Sequence, residues 1–225
     1  MAVDRRFVLK GMVLGGAAGL VLSRAVPVLG NVPPSHGDIR PTLALVGSGA
    51  VESAFLEGAA AAAGTHLRVR QLERDLDFML DFERQLRAGP MRLIGLLDDA
   101  SAGLLLDLAR SAGARVQWLG QHTVEGGSTR HRVLNTDLAE GCSRQLSRQL
   151  HACGAGFTLY EERQGSAAPS RQLAAPAHRG AHTAQWAAGV GYLLAALGSR
   201  PTGVQPILAQ SAPASGSFVS FSIES

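Results

Sequence analysis

From residue 42 to residue 120 the chain alternates short apolar runs with amphipathic stretches, a pattern that limits it to folds in which helices cover a sheet. Strand candidates are Thr42–Gly47, Leu67–Leu72, Met91–Leu97 and Arg115–Gly120. Between them lie helix candidates Val51–Ala63, Leu76–Arg87 and Ala102–Ser111, stopped in turn by Gly64, Gly89 and Gly113. Strand, helix, strand in succession predicts an α/β, three-layer, mostly parallel, Rossmann-like sheet with covering helices. The middle helix sets Leu76, Met79, Leu80 and Leu86 near helical spacing with Glu83 alongside, an ordinary packing stripe.

The second half is less regular and predicts an antiparallel edge. Val124-Glu-Gly-Gly-Ser-Thr has the composition of a hairpin turn, so the strand candidate His131–Asn135 should pair antiparallel with its predecessor. A helix over Leu138–Ala152 and a strand over Phe157–Glu161 should follow. Residues 164–181, rich in Ala, Pro, Ser, Gly and Arg, read as a loop or lid. The run Trp186–Leu197 is apolar all round and too short to span a membrane, which favours a buried helix. Ser217-Phe-Val-Ser-Phe-Ser-Ile alternates polar and apolar residues, as an edge strand with one wet face would.

The first thirty residues belong to a different kind of segment. Asp4-Arg-Arg-Phe-Val-Leu-Lys10 precedes an apolar, glycine-rich run over Gly11–Leu22 and the small residues Ser23 and Ala25, the three-part pattern of an export signal. Arg5 and Arg6, with Val8, Leu9 and Lys10 behind them, resemble the twin-arginine signal of bacterial Tat substrates. That resemblance implies engagement of the Tat machinery and export to the periplasm, with cleavage after Ala25 or, alternatively, Gly30. It also implies folding before export, because such substrates carry a cofactor or travel with a partner that does. If the segment stays uncleaved, it is the chain's one membrane contact. On this reading residues 1–30 are signal, 31–41 a Pro-rich linker and 42–225 one α/β domain.

Charge and composition exclude several function classes. Residues 1–25 hold Arg5, Arg6, Lys10 and Arg24 against Asp4, and the whole chain carries a formal +3, so the remainder is near neutral. Its arginines are scattered among acids, which argues against nucleic acid as a partner. Lys10 is the single lysine, so residues beyond the signal can form no lysine Schiff base and no phosphate-loop lysine. Two cysteines, Cys142 and Cys153, are too few for a four-cysteine zinc site or a disulfide framework. Along an unbroken helix they would stand ~16 Å apart, which favours two thiols over a bond unless the chain folds back.

Arg92-Leu-Ile-Gly-Leu-Leu-Asp-Asp, the stretch Leu104–Arg115 and Val116-Gln-Trp-Leu-Gly together look like one strand-helix-strand unit from a lobe of the bacterial periplasmic binding proteins. The likeness covers about a third of the chain and bears on fold class alone. A complete two-lobe binding protein needs more residues than remain after the signal.

In open α/β sheets ligands bind beyond the carboxyl ends of the strands. That rule selects Gly47, Ser48 and Gly49 after the first strand, Asp98 and Asp99 after the third, and His122 with Thr123 after the fourth. Gly47-Ser-Gly-Ala-Val-Glu52 matches two glycines of a dinucleotide fingerprint, but Glu52 stands where a small residue should let the helix pack closely, and Glu73 is the one candidate for a ribose acid. Asp98 and Asp99 suit acid-base work or a cation. Capping of the helix beginning near Ala102, by Asp99 or Ser101, outweighs that reading. Ser48, His122 and either aspartate suggest a hydrolase, although Val46 occupies the place of the first glycine in a G-x-S-x-G elbow. Histidines 122, 131, 151, 178 and 182, with the two cysteines, are raw material for a metal-assisted alternative, yet none falls in a ligand spacing on a sound helix. No catalytic signature is complete and no cofactor is specified. The expectation is an exported small-ligand-binding or accessory protein without catalysis of its own, served by a small molecule or an exported partner subunit.

Overall fold

The structure, a computed structural model, describes residues 41–73, 75–125, 128–136, 139, 141–152, 154, 156–163, 169–177, 184–197, 204–207 and 215–225. The export-signal residues, Ala25, Cys153, His178 and His182 lie outside the described residues. The strands are β1 (Thr42–Val46), β2 (Leu67–Gln71), β3 (Arg92–Asp98), β4 (Arg115–Glu125), β5 (Ser128–Asn135), β6 (Gly156–Arg163), β7 (Arg171–Ala175) and β8 (Gly216–Glu224). The helices are α1 (Ala50–Ala63), α2 (Leu76–Ala88), α3 (Asp99–Ser111), α4 (Cys142–Ala152) and α5 (Gln185–Ala195). Every strand and helix expected between residues 42 and 120 is present, with small shifts at the ends.

All eight strands join one sheet in the order β2-β1-β3-β8-β4-β5-β6-β7. The sheet is mixed and not mostly parallel: β1 pairs parallel with β2 and β3, and β5 with β6, while the other four neighbouring pairs are antiparallel. The cause is β8, which runs back between β3 and β4 and keeps them from pairing directly. The strand expected at a wet edge is therefore central, and its Val219–Ile223 stretch is buried. The β4–β5 hairpin forms as expected, with Glu125 opposite Ser128. Part of the expected lid is instead β7, the edge strand beyond β6.

Alternate residues along the strands feed two apolar clusters, as the period of two requires. Ala44, Val46, Ile94, Leu96 and Trp118 pack with residues of α1, α4 and α5, whereas Leu43, Leu45, Leu93, Leu97 and Phe221 pack with residues of α2 and α3. The second helix buries Phe78, Phe82 and Leu86, leaving the expected stripe residues Leu76 and Leu80 exposed, and Asp75 caps it by accepting from Phe78 N. Every residue of α5 is buried, in keeping with its all-round apolarity.

Helices α1 and α5 meet backbone to backbone. A Cβ on Gly58 would overlap the Ala188 carbonyl, and one on Gly191 would overlap the Phe55 carbonyl. Gly58→Ala should therefore lower stability to urea by about 1–3 kcal/mol through forced separation of the helices. Gly103→Ala, on the exposed side of α3 with nothing within 4 Å of the added carbon, should raise it by about 0.5–1 kcal/mol through helix propensity. Equal effects of the two substitutions would contradict the close approach.

Candidate functional site

At the carboxyl ends of β1 and β3 the chain departs toward opposite faces, because β1 leads into α1 and β3 into α3, which belong to different clusters. Such a divergence is where open α/β sheets bind ligands. Ser48, Gly49 and Asp99 are exposed there, with Gly47 and Asp98 half-buried. These are residues that sequence reasoning selected, but the glycine loop and Asp98 are already engaged. Gly49 is the N-cap of α1 and has no side chain with which to cap it. Glu52, three residues on, lays its carboxylate across the loop: a Cβ on Gly47 would stand 3.0 Å from Oε1, and one on Gly49 would overlap Oε2. A carboxylate held at a helix N-terminus sits where a phosphate would otherwise bind, so the dinucleotide match ends with the two glycines.

Asp98, rather than Asp99 or Ser101, is the N-cap of α3, which starts three residues before the expected Ala102. One carboxylate oxygen accepts from Ser101 N at 3.0 Å and the other from Ser101 Oγ at 2.8 Å. The two aspartates therefore do not act as a carboxylate pair. Asp98, Phe218 and His122 form one row across β3, β8 and β4, so the backbones of Asp98 and His122 are about 10 Å apart. Thr123 is on the opposite face of β4 from His122, and the two cannot share a site.

His122 is fully buried and belongs to a hydrogen-bonded chain that runs across four strands, β8, β4, β5 and β6. Trp118 Nε1 donates to Ser220 Oγ at 2.9 Å, Ser220 Oγ lies 2.7 Å from His122 Nε2, and His122 Nδ1 lies 2.8 Å from His131 Nδ1. His131 Nε2 is 2.8 Å from Thr129 Oγ1, which donates to the Gly156 carbonyl at 3.4 Å. An indole can only donate and a carbonyl can only accept, so one direction satisfies every link with neutral rings. Ser220 donates to His122 Nε2, His122 donates from Nδ1 to His131 Nδ1, and His131 donates from Nε2 to Thr129. This assigns the Nδ1–H tautomer to His122 and the Nε2–H tautomer to His131.

The Trp186 ring closes the chain from the α5 side, with centroids 4.6 Å from His122 and 5.5 Å from His131. Gly120 makes room for it, since a Cβ there would fall 2.6 Å from Ser220 Oγ and 2.8 Å from His122 Nε2. Burial drives both imidazoles toward the neutral form, His131 down to about 3, and the neighbouring ring lowers His122 further. Serine, base and orienting histidine thus occur in the order of a nucleophilic relay, but Ser220 is wholly buried and already accepts from Trp118. Sequence reasoning found His122, counted His131 only among possible metal ligands, and missed Ser220, Thr129, Trp118 and Trp186. The hairpin offered a signal for His131, because Glu125 opposite Ser128 brings 122 opposite 131.

Elsewhere, Cys142 is a free thiol whose pKa burial and the nearby Glu161 push up to about 11, so it is a poor nucleophile. Among the described residues no group of three or more His, Cys, Asp and Glu is placed to hold a metal ion. Among them no helix is long and apolar enough to cross a membrane. Comparison of the chain with models of protein families, with curated proteins and with solved structures finds no match.

Ser220→Ala leaves the Trp118 indole and His122 Nε2 without partners in a dry core and should cost about 1–3 kcal/mol in urea denaturation. Thr123→Ala, one residue from His122 but on the other face, should stay within about 0.5 kcal/mol of the parent. A Ser220→Ala protein as stable as the parent would remove the chain from the set of structural determinants.

Proposed function

We propose that this protein is exported to the bacterial periplasm through the twin-arginine pathway and acts there as a small-ligand-binding or accessory protein with no catalytic activity of its own. The observation that carries the non-catalytic reading is the engagement of the side chains capable of chemistry. His122 has both ring nitrogens bonded inside the core, and Asp98 holds the end of α3. A hydrolase built on Ser48, His122 and Asp98 or Asp99 would need His122 to leave Ser220 and His131 and emerge past Trp186. The ligand crevice favoured by this reading is the divergence of β1 and β3, at Gly47, Ser48, Gly49, Asp98 and Asp99. Its exposed Asp99 and the inward carboxylate of Glu52 suit a neutral or cationic group better than a phosphate. Export rests on Arg5, Arg6, Val8, Leu9 and Lys10.

The test is expression of the full chain in a bacterium with a working twin-arginine pathway, followed by fractionation and by denaturing and native mass spectrometry of the periplasmic protein. The expected results are a mature mass consistent with cleavage after Ala25 or Gly30, loss of periplasmic protein in the Arg5→Lys, Arg6→Lys double variant, and extra mass in the native spectrum from a ligand or stoichiometric partner. Undiminished export of the double variant would overturn the targeting. Turnover of a model ester that disappears on Ser48→Ala would overturn the non-catalytic assignment.

A further inference from the structure

We propose that the His122–His131 pair is an acid-operated latch, closed while both rings are neutral and forced open when they take up protons together. The weak point is the Nδ1–Nδ1 contact. A proton on His122 Nε2 reverses the bond to Ser220, whose oxygen can accept from both Trp118 and His122, whereas a proton on His131 Nδ1 displaces the bond it accepts from His122. With both rings protonated, two N–H groups would face each other across the 2.8 Å between the Nδ1 atoms.

Among the described residues nothing charged faces the pair to offset such a charge. Phe218 and Ser220 come from β8, Phe157 and Leu159 stand opposite Thr129 and His131 on β6, and α5 contributes Trp186 and no charged residue. Of the charged groups on the neighbouring elements, Asp98 lies beyond Phe218 and caps α3, while Glu161 lies one pair beyond Leu159 on the same face and is engaged by Arg171. Arg144, Arg148 and His151 of α4 and Glu57 of α1 are exposed, Glu52 folds over Gly47, and Cys142 sits against Glu161. An isolated charge in such a place is far costlier than in water.

The sign follows from linkage. Imidazoles neutral in the closed form and ordinary once exposed contribute stability that is complete above about pH 6.5 and lost as the pH falls, because the open form binds the protons. Two protons, taken up by rings of ordinary pKa near 6.5 once exposed, raise the opening constant about tenfold between pH 7 and 6 and about sixtyfold between pH 6 and 5, a window in which ordinary carboxylates remain ionised.

The experiment is urea-induced opening of the full chain, followed by tryptophan fluorescence at pH 7, 6 and 5, with the His122→Gln, His131→Gln double variant beside it. The parent should show the roughly tenfold and sixtyfold steps and the variant should not; equal pH dependence would overturn the proposal. Nitrogen-15 NMR of the imidazoles in the parent decides independently should the variant not fold. Both rings should remain neutral, in the tautomers assigned above, until they protonate with the opening transition. Either ring titrating near 6.5 while the fold stays intact would also overturn it.

Discussion

The rest of the molecule depends on the insertion of β8 between β3 and β4. Those two strands run the same way and do not touch; each pairs with β8 along nearly its whole length. Arg92 and Glu224, opposite each other in register, form an ion pair with both side chains largely buried, and Met91 and Ser225 exchange hydrogen bonds beside it. The same strand supplies both cores. Phe221 goes to the α2–α3 side, where its ring takes the space a Cβ on Gly95 would fill, while Ser220 and Ser222 face the α1–α5 side. One strand thus joins the parallel β2-β1-β3 block to the β4–β7 half of the sheet.

The polar chain from Trp118 to Gly156 shows how such a join is made specific. Apolar side chains on β8 would tolerate a sliding register, because any would be welcome in either cluster. Ser220 tolerates no slide, since its hydroxyl must meet the Trp118 indole and His122 at once. A network of this kind stabilises when every member is satisfied and is costly when one is not. Neutral imidazoles keep it satisfied without any counter-ion, which suits a location that no carboxylate faces among the described residues.

The first half of the fold was legible because β1 to β3 and α1 to α3 each carry one strong period, broken by glycines. The second half was not, and β8 shows why. Its alternation of serine with apolar residues is the pattern of a half-wet strand, and the same pattern results when the polar face is buried against partners elsewhere in the chain. Those partners are 98 and 102 residues away, and no local pattern records them. Gly47 to Gly49, Asp98 and Asp99 stand at or just beyond the ends of β1 and β3, where the strand pattern puts them. Their occupation by Glu52 and Ser101 is half legible: Glu52 is misplaced for a nucleotide loop, and the sequence points to a cap at Asp99 or Ser101 where Asp98 supplies it. His122 was placed outside the sheet because β4 was expected to end at Gly120, and its extension to Glu125 draws the ring into the core.

A chain in which β1 to β7 have formed without β8 has a gap one strand wide, bordered by the facing backbone edges of β3 and β4. Each edge presents unpaired N–H and C=O groups, and the gap's walls are already shaped for Phe221 on one side and Ser220 on the other. Any copy of Gly216–Glu224 satisfies that template, whether tethered to the same molecule or offered by another. Crowded, incompletely folded chains are therefore predisposed to reciprocal strand exchange, giving dimers that reproduce the monomer's own sheet.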